Sequence, residues 1–133
     1  MKKMTAEWVR KAEADEGMAR TLAAARTAFY DGICYHYQQA AEKFLKAILQ
    51  ELSLKIPRTH ELTDLMALLL PHHSSLRSLR RGLDFLTRFA VNPRYPGFNA
   101  SKKQAQAAMR WEKRVGDACR ALLGIPLPAK SRK

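Results

Sequence analysis

Apolar residues recur along this chain at helical spacing, and nowhere with the strict alternation of a strand. The clearest run lies between Tyr30-Asp31 and Leu52. There Ile33, Cys34, Tyr37, Ala40, Ala41, Phe44, Leu45, Ile48 and Leu52 fill one arc of a helical wheel. Tyr35, Gln39, Glu42, Lys43 and Lys46 fill the other side. Upstream, Trp8, Ala12, Met18, Ala19, Leu22 and Ala25 predict a first helix from Thr5, read as its N-cap, to Ala28. Asp15 and Glu16 interrupt its apolar content. The loop Ser53 to Arg58 contains Pro57, Thr59 reads as an N-cap, and a short third helix spans His60 to Leu70 before Pro71. A fourth helix runs from Ser74 or Ser75 to Phe89 or Ala90 on Leu76, Leu79, Leu83, Leu86 and Ala90, with Arg77, Arg81, Asp84 and Arg88 on its polar stripe. Asn92 to Gly97 holds two prolines and a glycine and must be a stiff loop. The fifth helix covers Ser101 to Leu123, with Gly124 as C-cap. Five helices with mostly short connections predict an all-α antiparallel up-and-down bundle over residues 1–124, and a basic, flexible tail over 125–133.

A chain of 133 residues is one domain, large enough to bury a core without a metal or disulfide. No apolar run approaches the roughly 18 residues of a membrane span. The basic N-terminus lacks the apolar core and cleavage site of a signal peptide, so a cytoplasmic protein is expected. Cys34 and Cys119 fall on apolar helix faces and read as buried free thiols. No Cys or Cys/His pair has metal-ligand spacing, and the reading includes no metal and no cofactor.

Charge changes the picture more than composition does. The net charge is +12. Residues 1–70 carry 10 Lys and Arg against 9 Asp and Glu. Residues 71–133 carry 14 against 3 acids, namely Asp84, Glu112 and Asp117. Charge so one-sided points to a polyanionic partner: RNA, DNA, nucleotide phosphates or an acidic protein. Its densest part is the fifth helix, where Lys102, Lys103, Arg110, Lys113, Arg114 and Arg120 share a face opposite Ala107, Ala108, Trp111, Val115, Ala118, Cys119 and Leu122. Contact with a phosphate backbone needs no more than such a face.

Smaller groups carry candidate chemistry. Glu42 and Lys46 form an i,i+4 pair in the favourable order, which as an exposed pair is worth about 0.3–0.5 kcal/mol. Alternatively, Gln39 and Lys46 line a cleft and offer amide and ammonium donors to a phosphate or base. Arg94 and Tyr95 sit between prolines, where a stiff loop lowers the entropy cost of holding a guanidinium on phosphate and an aromatic ring on a base. The competing reading has Tyr95 plugging the bundle end and Arg94 capping helix carbonyls. His60, next to a helix N-terminus, would stay neutral and could act as a base, or could simply support the cap. His72 and His73 read as surface residues.

Four features together resemble the HEPN domains (higher eukaryotes and prokaryotes nucleotide-binding). They are Gln38-Gln39-Ala40-Ala41-Glu42-Lys43 with Lys46 one turn on, Pro57-Arg58-Thr59-His60-Glu61-Leu62, Arg94-Tyr95-Pro96, and the early Trp8. The resemblance covers nearly the whole chain. It implies a four-to-five-helix bundle, similar to the substrate-binding helical domain of nucleotidyltransferases and usually a homodimer. It also implies a minimal nucleotidyltransferase as partner, in a toxin–antitoxin pair or two-subunit complex. Many such proteins are metal-independent RNases whose signature is an arginine, four to six intervening residues and then a histidine, near the start of the last core helix. None of His36, His60, His72 and His73 has an arginine at that spacing before it. The resemblance therefore implies nucleotide or nucleic-acid binding through Gln39, Lys46, Arg94 and Tyr95 rather than catalysis. Arg94 and His60 are the residues an RNase reading would have to use, and a structural adaptor is the third alternative.

Overall fold

A computed structural model of the protein describes residues 1–128. Among them there is no strand. Five α-helices are joined by loops and two 3-10 turns: α1 (Lys3–Ala23), α2 (Tyr30–Glu51), α3 (Leu62–Leu69), α4 (Arg80–Thr87) and α5 (Lys102–Leu123). The only part of the expected tail that is described, residues 125–128, has neither helix nor strand; the rest lies outside the described residues. No helix among the described residues is long and apolar enough to cross a membrane.

The central helix is α2. Its wide apolar arc lets it pack on α1, α5, α3 and α4. Phe44, Leu45, Ile48 and Leu49 are buried there, against Leu62, Leu65 and Leu69 of α3, Leu83 and Leu86 of α4, and Val115 and Cys119 of α5. Both cysteines are buried free thiols, and burial pushes Cys34 up to about 12 and Cys119 further in the same direction.

The last helix is delimited by local chemistry. Ser101 makes a full capping box with Gln104, and Gly124 takes the left-handed conformation (φ 70°) that lets its own and the next amide return to Ala121 and Arg120 carbonyls.

Other expected boundaries move. The first helix stops at Ala23 rather than Ala28, because α2 begins at Tyr30 and residues 24–29 are needed to reverse the chain. Thr5 is not an N-cap. It lies inside α1, buried, and its hydroxyl donates to Glu51 at 2.8 Å, tying the first helix to the end of the second. The third helix starts at Leu62, since the Thr59 hydroxyl accepts from the Glu61 amide and makes a turn instead of a cap. The fourth expected helix divides into a 3-10 segment, Ser74–Leu79, and α4. In the tighter coil residues three apart line up, which puts Leu76 and Leu79 both into the core.

Gly82 is where α4 meets α5. A Cβ there would overlap Cε3 and Cδ2 of Trp111. Gly82→Ala is expected to destabilise the fold by about 3 kcal/mol, at the upper end for overpacking. Urea denaturation should show the midpoint falling; a change below about 0.5 kcal/mol would mean that Trp111 swings away freely.

Candidate functional site

The side of α2 left open by its neighbours carries Tyr35, His36, Gln39 and Lys43, all partly exposed. Three groups of polar side chains border or underlie this strip.

At its N-terminal end, Asp31, Gly32, Tyr35, Pro93 and Arg94 line an open hollow of about 380 Å3. The 3-10 turn Asn92–Arg94 presents the Arg94 guanidinium over the Tyr35 ring, 5.4 Å from its centroid. Arg94 also donates a long hydrogen bond, 3.4 Å, to the Ala90 carbonyl. Ala90 lies three residues past the end of α4, so this is a turn carbonyl and not the helix capping of the alternative. The plug does not hold either: Tyr95 is 62% exposed. Burial of the bundle end falls instead to Phe89, with Phe85 and Phe98 edge-on to it.

Farther along α2, the Glu42 carboxylate is buried and holds His60 Nδ1 and Lys46 Nζ, each at 2.9 Å. Gln38 donates to Glu42 and, at 3.5 Å, to the His60 carbonyl, while Gln39 donates to Gln38. The bonds from His60, Lys46 and Gln38 outweigh burial and hold Glu42 below the usual carboxylate range. Of the two sequence readings of Glu42 and Lys46, the exposed surface pair therefore does not hold. Lys46 is 9% exposed and lies 5.8 Å from the centroid of the Trp8 ring. His60 precedes α3 rather than opening it, so its environment is set by Glu42 and not by a helix N-terminus. Its side chain is half exposed. Tyr35 and Glu42 are seven residues apart, or about 10.5 Å along the helix axis. That spacing keeps the Arg94 and His60 contacts about two turns apart.

On the α1 side, Asp15 holds His36 Nδ1 at 2.9 Å and is hydrogen-bonded to Lys43 Nζ. Sequence reasoning passed over this group. The signal was an aspartate in register with Trp8, Ala12 and Ala19: an acid on a buried face needs partners.

The α5 face is exposed at Lys102, Lys103, Arg110, Lys113 and Arg114. Arg114 stacks on Trp111 at 4.6 Å, and Lys113 pairs with Asp117 at 3.1 Å. Arg120 does not belong to this face. It is 2% exposed, bonded to Glu16 at 2.6 Å and lying over the Phe44 ring at 4.7 Å. A wheel projects the helix as if its surroundings were the same along its length; here Glu13 and Glu16 reach across from α1 to Arg120 near the end of α5, while Lys102, Lys103, Arg110, Lys113 and Arg114 are left exposed. Gly116 lets the buried charges converge: a Cβ there would stand 3.1 Å from Arg120 Nη1 and Glu112 Oε2, and 3.2 Å from Glu16 Oε2. Burial first, and then the neighbouring Glu16, raise Glu112 well above the usual carboxylate range. The folded state thus keeps a proton that the unfolded chain releases above its ordinary pKa. Stability should fall as pH rises from the ordinary carboxylate range to the folded value. Glu112→Gln is expected to flatten that decline in thermal melts across pH 5–9; an unchanged slope would place the proton elsewhere.

No group of three or more His, Cys, Asp or Glu among the described residues is arranged to hold a metal ion. The comparisons agree with the helical architecture. The family model described as the HEPN domain matches residues 5–122. Neither the curated proteins nor the solved structures gave a match. With nearly its whole length matched and its helices in an antiparallel bundle, the chain belongs to the HEPN domain family.

Proposed function

We propose that the protein is a nucleotide- or nucleic-acid-binding HEPN module, assembled as a homodimer and paired with a minimal nucleotidyltransferase in a toxin–antitoxin-like or two-subunit complex. The observation that carries the binding reading is the α5 face: five exposed cations on one helix, with Asp117 as their acidic neighbour. Such a face stays solvated or meets anions, and a phosphate backbone satisfies it without sequence-specific contacts. Arg94 adds a guanidinium at the edge of the α2 strip, with Tyr95 exposed beside it for stacking. Family membership is what supports the nucleotidyltransferase partner and the dimer.

An RNase reading draws support from one feature, the anchoring of His60 Nδ1 on Glu42, since a fixed imidazole is suited to general acid–base work. Against it, Arg94 is engaged about two turns away on Tyr35. Parallel assays of Arg94→Ala and His60→Ala separate the two readings. Expected are RNA binding weakened about tenfold by Arg94→Ala, the size of one charge-assisted contact, and little or no cleavage in EDTA by any form. Robust cleavage in EDTA that both substitutions eliminate would make the enzyme reading the better one.

A further inference from the structure

Buried Asp15 has chosen between the two nitrogens of His36. A carboxylate can only accept, so the Nδ1 facing it at 2.9 Å carries the proton. In the neutral imidazole that leaves Nε2 as an acceptor. Nε2 has no hydrogen-bond partner among the described residues, and about a quarter of the side chain is exposed. The ring is held from a second side by Tyr35, edge-on at 5.3 Å. Beside it Lys43, equally exposed, spends one ammonium donor on the other Asp15 oxygen and keeps the rest for a ligand. One buried carboxylate thus decides which nitrogen of the neutral ring accepts, and holds an ammonium beside it on the open strip of α2. Charged groups facing His36 are Asp15 from α1 and Lys43 from α2, with Arg94 of the 92–94 turn on the far side of Tyr35.

An acceptor next to an ammonium matches one feature of nucleic acids in particular. A ribose 2′-hydroxyl is a donor on the carbon next to the one that carries the 3′-phosphate. Deoxyribose has no such donor. We propose that His36 Nε2 accepts the 2′-hydroxyl of a ribonucleotide whose phosphate contacts Lys43, so that this strip distinguishes ribose from deoxyribose. The inference rests on the nucleic-acid-binding reading above and names the class of its ligand. The other anchored histidine is less suited to this role, because its neighbouring cation, Lys46, is 9% exposed and held by Glu42. In the imidazolium form Nε2 becomes a donor and the match is lost, so the test is run at pH 8.

Fluorescence anisotropy with labelled ten-residue oligoriboadenylate and oligodeoxyadenylate reads the preference directly. The wild-type protein should favour the ribo form by about five- to tenfold, the size of one hydrogen bond. His36→Ala should bring the ratio close to one, chiefly by weakening the ribo form. His36→Phe, which keeps a ring in place but has no nitrogen, should do the same and guards against a packing artefact. Asp15→Ala, which frees the ring, should lose the preference with His36 still present. Equal wild-type affinity for the two oligomers, or a preference that survives both His36 variants, overturns the inference and leaves the binding reading standing. Failure to bind either oligomer overturns both.

Discussion

Arg120→Ala should unfold the protein more readily than any other single change on α5, at a cost of about 3–5 kcal/mol. The side chain lies where α1, α2 and α5 meet, with Glu16 at 2.6 Å, Glu13 at 3.4 Å and Asp117 at 3.5 Å. Removing the guanidinium leaves buried Glu16 beside buried Glu112 with no cation between them. An uncompensated buried carboxylate is far more costly than the ion pair is stabilising. Two consequences separate this account from simple loss of packing against Phe44. The penalty should grow as pH rises, because without Arg120 the charged form of Glu112 loses the one cation that lowers its cost, and the folded state is left more dependent on its proton. The double variant Arg120→Met with Glu16→Gln should recover most of the lost stability, since it removes the unpaired charge and keeps the volume. Thermal melts at pH 5, 7 and 9 measure both. A pH-independent loss, or no recovery in the double variant, would mean that Arg120 acts as a packing residue.

The second large effect belongs to the open turns of the same helix. Reversing Arg110, Lys113 and Arg114 to Glu should weaken nucleic-acid binding by about a hundredfold or more, since three contacts are lost and three repulsions gained. Helicity should persist, because all three side chains are exposed. The cost to the fold is confined to Lys113–Asp117, an exposed pair worth at most about 0.5 kcal/mol, and to the stacking of Arg114 on Trp111. Far-UV circular dichroism and anisotropy titrations of one preparation report the two together. Binding that survives the reversal would mean that the α5 face is only solvated.

These two predictions show where sequence reading stops. The five α-helices were legible, because apolar periodicity is set by the side of each helix that faces the core. The start and stop of α5 were legible as well, because Ser101 and Gly124 act within a turn. Arg120 was misplaced because its burial depends on Glu16, 104 residues away in the chain. Asp15 and Glu16 read as interruptions of α1 for the same reason: the charges that satisfy them come from α2 and α5. Glu42 and Lys46 were recognised as a pair, but their burial was not foreseen; it comes from Trp8 of α1 and the chain before α3. Boundaries set by tertiary demand, such as the end of α1 and the 3-10 start of the fourth segment, have no local signature of the kind that delimits α5.

The most direct test of the binding account is the salt dependence of the wild-type protein on a single-stranded oligoribonucleotide. If the five exposed cations of α5 displace counterions from phosphates, log Kobs should fall linearly with log salt concentration, with a slope of about −2 to −4. A slope near zero, or no binding at low salt, would contradict it.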